Sequence, residues 1–199
     1  MKRAAWVALT GSSGFMALTV LWMLVPAWRQ LDAAGLNWIQ ARAPHGLITG
    51  AEVLTHAGGL PVAIPIAVAL AVVLWRRDHR RAAIIWGTGF AMGQALVLGL
   101  KVVLNRTRPR APDLLMQDFS FPSGHAFTAV VLYGAVLYGG WIRSSTDWQR
   151  GLLALATVGL IVAVGGSRLL LRVHYPTDVL AGYLLGIAWL ALLWMVVRR

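Results

Sequence analysis

The last apolar stretch of the chain, PTDVLAGYLLGIAWLALLWMVV at residues 176–197, decides the fold class. It carries no charged residue after Asp178. It is also long enough to cross the hydrocarbon core of a bilayer, which takes about 20 mostly apolar residues in a helix. Lipid offers no hydrogen-bond partners to an open backbone, so a spanning segment must satisfy its own backbone groups. The stretch therefore predicts a transmembrane α-helix.

Five further apolar segments precede this one, and we expect an all-α integral membrane bundle of six transmembrane helices. The first segment follows Lys2 and Arg3, as the core of a signal peptide would, but its apolar run is too long for that. We therefore expect it to be a membrane helix, and we expect residues 1–199 to form a single domain. The six segments cover residues 5–28, 48–75, 82–104, 122–142, 151–166 and 176–197.

Two stretches depart from a plain membrane helix. The second segment contains Gly58, Gly59, Pro61 and Pro65, so its first turns are expected to form a bent or re-entrant piece. Residues 29–44 mix apolar and polar side chains at helical spacing. They predict a short amphipathic helix that lies on the membrane surface after helix 1.

The composition excludes an ordinary soluble domain. Hydrophobic residues make up 58% of the chain and charged residues 13%, whereas soluble domains carry about 25% charged residues. The chain has no cysteine. This excludes disulfides, thiol catalysis and thiolate metal sites.

The net charge of +11 raises the question of nucleic-acid binding. The arginines do not form one polar patch. They occupy short breaks between apolar segments, where anionic lipid head groups or a phosphate substrate are the expected partners. We therefore expect membrane lipids and a lipid phosphate or pyrophosphate as partners, and no nucleic acid. The oligomeric state is left open.

The loops predict the orientation of the chain. If all six segments cross, the connections alternate between two sides, and the side richer in arginine and lysine is the cytoplasm. Both termini are then expected in the cytoplasm. The opposite side is also basic. This weakens the rule unless the charges on that side have a function of their own. The cytoplasmic side carries Lys2, Arg3, the four arginines of residues 76–81, Arg143, Arg150, Arg198 and Arg199.

Three islands of polar residues interrupt the apolar pattern: KVVLNRTRP at 101–109, FPSGH at 121–125 and SRLLLRVHYPTD at 167–178. The first island ends the third predicted segment, the second begins the fourth, and the third connects the fifth and sixth. Alternation of the spans puts all three on the non-cytoplasmic face. Each island alone is typical of an ordinary helix end, where long cations anchor at the interface. Together they supply a complete set of groups for phosphoryl transfer.

The islands contain the groups that bind phosphate. Lys101, Arg108 and Arg168 supply three cations, and the planar fork of arginine matches phosphate oxygens bidentately. Ser123 and Gly124 follow a proline at a predicted helix start, where unpaired N–H groups and the helix dipole favour an anion. Fixed cations of this kind require no metal.

Two histidines cover the chemical steps. His174 precedes Asp178 by one helical turn, so the carboxylate can accept its Nδ1–H and leave Nε2 free to attack phosphorus. His125 can protonate the leaving oxygen.

Five polar residues have no required role. Arg106, Arg110 and Arg172 are expected to contact lipid or the surface, with the substrate phosphate as the alternative. Glu52 and His56 are one turn apart. They are expected to lie at the interface or to bond to each other within the bundle, with a substrate-facing role as the minority alternative.

The islands resemble the signature motifs of the type-2 phosphatidic acid phosphatase superfamily. The first motif is a lysine followed after six residues by arginine and proline, and it matches Lys101, Arg108 and Pro109. The second, Pro-Ser-Gly-His, matches residues 122–125. The third combines Ser-Arg, a histidine after five residues and an aspartate after three more, and it matches residues 167–178. Three motifs in order at the right spacing make the resemblance specific.

The resemblance implies a membrane lipid phosphatase with a phosphohistidine intermediate. His174 would be phosphorylated, Asp178 would orient it, and His125 would act first as general acid and then as the base that activates water. The resemblance also implies catalysis without a metal or other cofactor, and inhibition by vanadate. The residues it assigns to the phosphate are Lys101, Arg108, Ser123, Gly124 and Arg168.

The resemblance specifies the substrate less closely than it specifies the reaction. A compact six-helix chain with its site outside the cytoplasm is similar to bacterial undecaprenyl-pyrophosphate and phosphatidylglycerophosphate phosphatases. This implies the inner (cytoplasmic) membrane of a bacterium. Undecaprenyl pyrophosphate is the leading expected substrate, and phosphatidylglycerophosphate and phosphatidic acid are the alternatives.

Other functions compete with hydrolysis. A lipid phosphotransferase would pass the phosphoryl group to a second lipid. The superfamily that the motifs resemble also includes the vanadium haloperoxidases, but a haloperoxidase is disfavoured because those relatives are soluble and this chain is mostly apolar. An anion or lipid transporter would use the same charges to line a path, and its flux would survive the loss of His174.

Overall fold

The structure is a computed structural model that describes residues 1–109, 119–141 and 144–198. Within these ranges the protein is all-α, as expected, with eight α-helices, one short 3₁₀ helix and no strand. The α-helices are α1 (Lys2–Leu24), α2 (Pro26–Arg42), α3 (His45–Leu54), α4 (Leu60–Arg76), α5 (Arg80–Leu104), α6 (Gly124–Trp141), α7 (Asp147–Leu170) and α8 (Pro176–Val197), and the 3₁₀ helix is Thr55–Gly58.

Four of the described helices are long and apolar enough to cross a membrane, namely α1, α5, α7 and α8. A fifth candidate is the pair formed by His45–Gly58 and α4, which is bent by 40°. Helix α6, with 18 residues, is not among these candidates. The expected count of six spans therefore stays a prediction. Three residues of the sequence predictions lie outside the described residues. They are Ile142 at the end of the predicted fourth segment, Arg143 in the loop after it, and Arg199 at the C-terminus.

The predicted bend in the second segment is confirmed. Helix α3 passes into the 3₁₀ helix, and Gly59 separates this turn from α4. Pro61 lies in the first turn of α4, where a proline is tolerated because its missing N–H has no helical acceptor. A Cβ on Gly58 would lie 2.5 Å from Cγ1 of Val164. Glycine at this position therefore allows the turn to pack directly against α7.

Residues 29–44, predicted as a short amphipathic helix, lie mostly in α2, which begins earlier, at Pro26. Its buried residues are Asp32 and Leu36, whereas Leu31 and Trp38 are exposed. One face therefore packs on the protein, and the other directs apolar side chains outward, as a helix on a membrane surface does. Its position at the membrane surface remains a prediction.

Helix α8 is at the centre of the bundle and contacts α1, α2, α5, α6 and α7. Small residues allow its neighbours to approach closely, which is the main means of helix association in lipid. A Cβ on Gly182 would lie 2.5 Å from the carbonyl oxygen of Ser123. This contact brings the start of α6 against the first turns of α8, and so brings the second polar island against the third.

Candidate active site

The three polar islands meet at one end of the bundle. Arg108, which follows α5, contacts His174 before α8, with its Nη1 3.3 Å from the histidine Nε2. The N–H of Ser123, just before α6, donates to the carbonyl oxygen of Asp178 in the first turn of α8 at 2.9 Å. This geometry agrees with the expectation that all three islands share one face.

The end of α5 positions the cations of the first motif. Asn105 adopts a left-handed conformation (φ 47°) that ends α5 and redirects the chain. Lys101 is buried, and its Nζ donates a hydrogen bond to the carbonyl oxygen of Phe119. Arg108 donates from Nη1 to the carbonyl oxygen of Val173 at 2.7 Å. Backbone carbonyls therefore hold both cations at the site.

The second motif forms the N-terminus of α6, which begins at Gly124. Ser123 is fully buried, and its N–H donates to the carbonyl oxygen of Asp178 at 2.9 Å. His125 lies beside the break before α4, since its Nε2 is 3.6 Å from the place of a Cβ on Gly59. A helix N-terminus presents unpaired N–H groups and the positive end of the helix dipole, so this end of α6 suits an anion.

The third motif begins at the buried end of α7. Arg168 is buried and donates from Nη1 to the hydroxyl of Thr55 in the 3₁₀ helix. Its carbonyl oxygen accepts the N–H of Val173 at 3.2 Å, which closes the turn that leads to the histidine. Arg172 in this turn has a left-handed φ of 54° and an exposed side chain. Thr55 carries no signal in the sequence that would have indicated its contact with Arg168.

His174 is buried between a carboxylate and a guanidinium. Its Nδ1 lies 3.3 Å from Oδ2 of Asp178, and its Nε2 lies 3.3 Å from Nη1 of Arg108. A carboxylate only accepts and a guanidinium only donates, so the arrangement suits an imidazole with its proton on Nδ1 and a lone pair on Nε2. The N–H of Tyr175 donates to the same Oδ2 at 2.8 Å and holds the carboxylate in place. Nε2, the nitrogen expected to act as the nucleophile, therefore lies on the side of Arg108.

Two further charged residues lie behind Asp178. Arg106 is buried and donates to Oδ1 of Asp178 at 2.6 Å and to Oδ2 of Asp32 at 2.5 Å. It therefore has protein partners in place of the lipid, surface or substrate contacts expected for it. Asp32 could have been noticed only as the single acidic residue of the predicted amphipathic segment. Burial raises the pKa of the Tyr175 hydroxyl, and the Arg106 guanidinium beside its ring opposes that shift.

The remaining polar residues do not enter this set. Arg110 lies outside the described residues, and the side chains of Glu52 and His56 are exposed. In the part of the chain that the structure describes, no group of three or more histidine or acidic side chains could hold a metal ion. The groups that converge on the site are cationic N–H donors, which form strong hydrogen bonds to phosphate oxygens.

Comparison with known proteins gives a consistent result. The sequence profile of the PAP2 superfamily matches residues 82–199, a range that contains all three motifs. The chain is 33% identical to decaprenylphosphoryl-5-phosphoribose phosphatase of Mycolicibacterium smegmatis over 69% of this chain and 72% of that protein. It is 33% identical to undecaprenyl-diphosphatase of Sulfolobus acidocaldarius over 79% and 72%, respectively.

A solved structure shares the fold. The crystal structure of a transmembrane PAP2-type phosphatidylglycerolphosphate phosphatase from Bacillus subtilis superimposes with a TM-score of 0.85. The alignment covers 96% of this chain and 95% of that chain, at 24% sequence identity. The similarity therefore covers nearly the whole architecture, including α1 and α2, which precede the residues matched by the profile.

Proposed function

Given that this chain belongs to the PAP2 superfamily of membrane lipid phosphatases, we propose that it hydrolyses a lipid phosphomonoester or pyrophosphate through a phosphohistidine on His174. One observation carries the proposal: His174 lies between the carboxylate of Asp178 and the guanidinium of Arg108, 3.3 Å from each. The carboxylate stabilises the positive ring that forms when Nε2 attacks phosphorus. The guanidinium brings the phosphate to the same nitrogen.

The phosphate would be held by two kinds of donor. Lys101, Arg108 and Arg168 supply positive charge, and two of these side chains are almost fully buried, so their charges are little screened by solvent. The N–H groups in the first turn of α6, which begins at Gly124 directly after Ser123, supply fixed dipoles. Preorganised donors of this kind stabilise the charge that develops on the oxygens in the transition state. No step of this scheme requires a metal.

Catalysis would proceed in two displacements. In the first, Nε2 of His174 bonds to phosphorus while the bond to the leaving lipid oxygen breaks, and His125 donates its proton to that oxygen. In the second, His125 takes a proton from water, the hydroxide bonds to phosphorus, and the P–N bond breaks to release phosphate and the neutral imidazole. General acid–base catalysis of this type contributes about 10²- to 10⁴-fold to the rate.

We propose undecaprenyl pyrophosphate as the leading substrate. The relatives from M. smegmatis and S. acidocaldarius are named for a decaprenylphosphoryl sugar phosphate and for undecaprenyl diphosphate, so both names contain a phosphorylated polyprenyl group. The B. subtilis phosphatase, similar in fold, is named for phosphatidylglycerolphosphate. That lipid and phosphatidic acid are the alternatives.

The site is proposed to face away from the cytoplasm, in a chain that crosses a bacterial inner membrane six times as a single domain. The six spans would be α1, the bent pair of α3 and α4, α5, α6, α7 and α8. Arg81 donates from Nη2 to the carbonyl oxygen of Val196 at 3.4 Å, so the α4–α5 loop lies beside the C-terminus, as the alternation of spans requires. The orientation is tested with a reporter that is active only in the cytoplasm, fused after Arg199. The proposed orientation predicts that this reporter is active.

The function is tested by phosphate release in detergent. Purified protein is incubated with undecaprenyl pyrophosphate, phosphatidylglycerophosphate, phosphatidic acid, a decaprenylphosphoryl sugar phosphate or a lipid A phosphate, one lipid at a time and without a second acceptor. We expect release of inorganic phosphate, fastest from undecaprenyl pyrophosphate, and none from His174→Ala. The control is His79→Ala, which removes an exposed histidine before α5.

Each competing function has its own outcome in this assay. Turnover that begins only after a second lipid is added, with the phosphoryl group recovered on that lipid and not as inorganic phosphate, would indicate a phosphotransferase. Anion or lipid flux across liposomes that survives His174→Ala would indicate a transporter. Full phosphatase activity in both His174→Ala and His125→Ala would overturn the mechanism.

A further inference from the structure

A buried guanidinium links two carboxylates behind the histidine. Arg106, whose side chain is 5% exposed, donates to Oδ1 of Asp178 and to Oδ2 of Asp32, whose side chains are 0% and 1% exposed. The three groups come from three places: Asp32 from α2, Arg106 from the segment after α5, and Asp178 from the first turn of α8. Water is largely excluded from the cluster, so its electrostatic interactions are strong and unpaired charges would be costly.

Asp32 also bonds directly to the N-terminus of α8. Its Oδ1 accepts the N–H of Thr177 at 3.0 Å, and its Oδ2 accepts the Thr177 hydroxyl. The first N–H groups of a helix have no acceptor within the helix, and a side chain of α2 supplies one here. The Thr177 hydroxyl is also 2.7 Å from Nη1 of Arg106. The turn that carries Asp178 is therefore bonded to α2 both directly and through Arg106.

Two aromatic rings restrict the guanidinium of Arg106. Its Cζ lies 4.2 Å from the ring centroid of Tyr175 and 5.2 Å from that of Trp22. Cations stack favourably on such rings, and the contact also excludes water. Arg106 is thus held by rings from α1 and from the residue before α8, while its nitrogens bond to the two carboxylates.

The charges of the cluster complement those of the histidine. Two carboxylates and one guanidinium leave one net negative charge, and a positively charged His174 ring beside Asp178 makes the set neutral. If Asp32 were absent, Arg106 and Asp178 would form a neutral pair, and Asp178 would stabilise the positive ring less. Because Asp32 and Asp178 share one guanidinium, the negative charge of Asp178 is not fully neutralised by Arg106 and can stabilise the positive His174 ring.

We infer that Asp32 and Arg106 are positioning residues that hold Asp178 in the orientation and charge state required by His174, so that α2 is part of the catalytic apparatus. The inference rests on the proposed function, since it assigns to Asp32 and Arg106 a role in the phosphohistidine step. It extends the site beyond the three motifs, because Asp32 lies 74 residues before Arg106 and outside all of them.

A second contact supports this role for α2. Nε2 of Gln40 donates to the carbonyl oxygens of Leu169 and Leu170, the latter at 3.0 Å, at the C-terminus of α7. Asp32 bonds the N-terminus of α8. Helix α2 therefore bonds to both ends of the turn between α7 and α8, the turn that carries His174.

The test compares Asp32→Asn and Asp32→Glu with a matched surface variant, Asp147→Asn, whose carboxylate is 99% exposed and pairs with Arg150. Rates are normalised to folded protein. We expect Asp32→Asn to lower kcat about 10- to 100-fold, by analogy with the loss of an outer partner of a metal-binding histidine. KM should change little, because Asp32 does not contact the phosphate site. Asp32→Glu should recover part of the loss, and Asp147→Asn should behave as the wild type.

Two further variants keep the test decisive if Asp32→Asn does not fold. Arg106→Lys keeps the charge but cannot bridge both carboxylates, and it should lower kcat about as much. Thr177→Val removes one hydroxyl and leaves all charges, and it should lower kcat about fivefold, the worth of one hydrogen bond. Unchanged kcat per folded enzyme in the variants that fold would overturn the inference. Wild-type protein that releases no phosphate, or activity that survives His174→Ala, would overturn the proposed function instead.

Discussion

The Nδ1 atom of His174 lies 3.3 Å from Oδ2 of Asp178, one helical turn later, in a site where both side chains are almost completely buried. The carboxylate also accepts the N–H of Tyr175, so it is fixed before any substrate binds. In the proposed mechanism this pair determines which imidazole nitrogen carries the proton, and thus which nitrogen attacks phosphorus.

The variant Asp178→Asn is expected to lower kcat by about 10⁴-fold, by analogy with the loss of the orienting aspartate in a serine protease triad. The amide can donate to Nδ1 and favour the tautomer with a proton on Nε2, which blocks attack. Steady-state phosphate release and trapping of the phosphorylated protein measure the effect. A loss of less than about tenfold would contradict the role of Asp178, since general acid–base and orienting groups contribute more than that.

The role of His125 is tested by changing the leaving group. With a lipid phosphate, His125→Ala should lower kcat by about 10²- to 10⁴-fold, because the leaving alkoxide needs a proton. With p-nitrophenyl phosphate, whose leaving group is a stable anion, the loss in the phosphorylation step should be much smaller. Single-turnover rates separate this step from the attack of water. Equal losses on both substrates would contradict the assignment of His125 as the acid.

The bend before α4 should tolerate no added methyl group at Gly58. A Cβ there would lie 2.5 Å from Cγ1 of Val164 and 3.1 Å from Cβ of His125. We expect Gly58→Ala to cost about 1–3 kcal/mol in the free energy of unfolding, as overpacking does, and to lower kcat because His125 is displaced. The control is Gly50→Ala in α3, where nothing lies within 4 Å of an added Cβ. If Gly58→Ala matched this control in stability and kcat, the close approach would be unimportant.

Activity is expected to persist in EDTA and to be inhibited by vanadate. The positive charge that a metal would otherwise provide comes in the proposed mechanism from Lys101, Arg108 and Arg168. Vanadate resembles the phosphoryl group in the transition state of its transfer. Phosphate release is measured after dialysis against the chelator and again with added Mg²⁺ or Zn²⁺. Loss of activity in EDTA that either ion restores would show that the cationic side chains are insufficient.

The helix boundaries show where local sequence was enough. The predicted segment 176–197 coincides with α8, because a long apolar run bounded by a proline and a basic terminus has few alternatives. The predicted segment 151–166 stops short of the end of α7 at Leu170, since Ser167 and Arg168 interrupt the apolar pattern. In the structure both residues are buried among protein groups, so the helix continues through them.

The first predicted segment, 5–28, is divided in the structure. Helix α1 ends at Leu24, Val25 is extended, and α2 begins at Pro26. Apolarity alone does not mark this boundary, because the residues on both sides of it are apolar. A proline fixes its own φ and removes a backbone donor, which is compatible with a helix start but not with a continuous helix.

The motif residues and the order of the apolar segments were identifiable from the sequence, because each depends on residues that are close together in the chain. Tertiary structure alone decided the partners of those residues. Thr55 reaches Arg168 across 113 residues, and Asp32 reaches Arg106 across 74. Such contacts depend on how α2, α3 and α8 pack, and hydrogen bonding between distant side chains leaves no period or spacing in the sequence. The proposed chemistry of His174 rests on local sequence, whereas its proposed support from Asp32 and Arg106 rests only on the packed bundle.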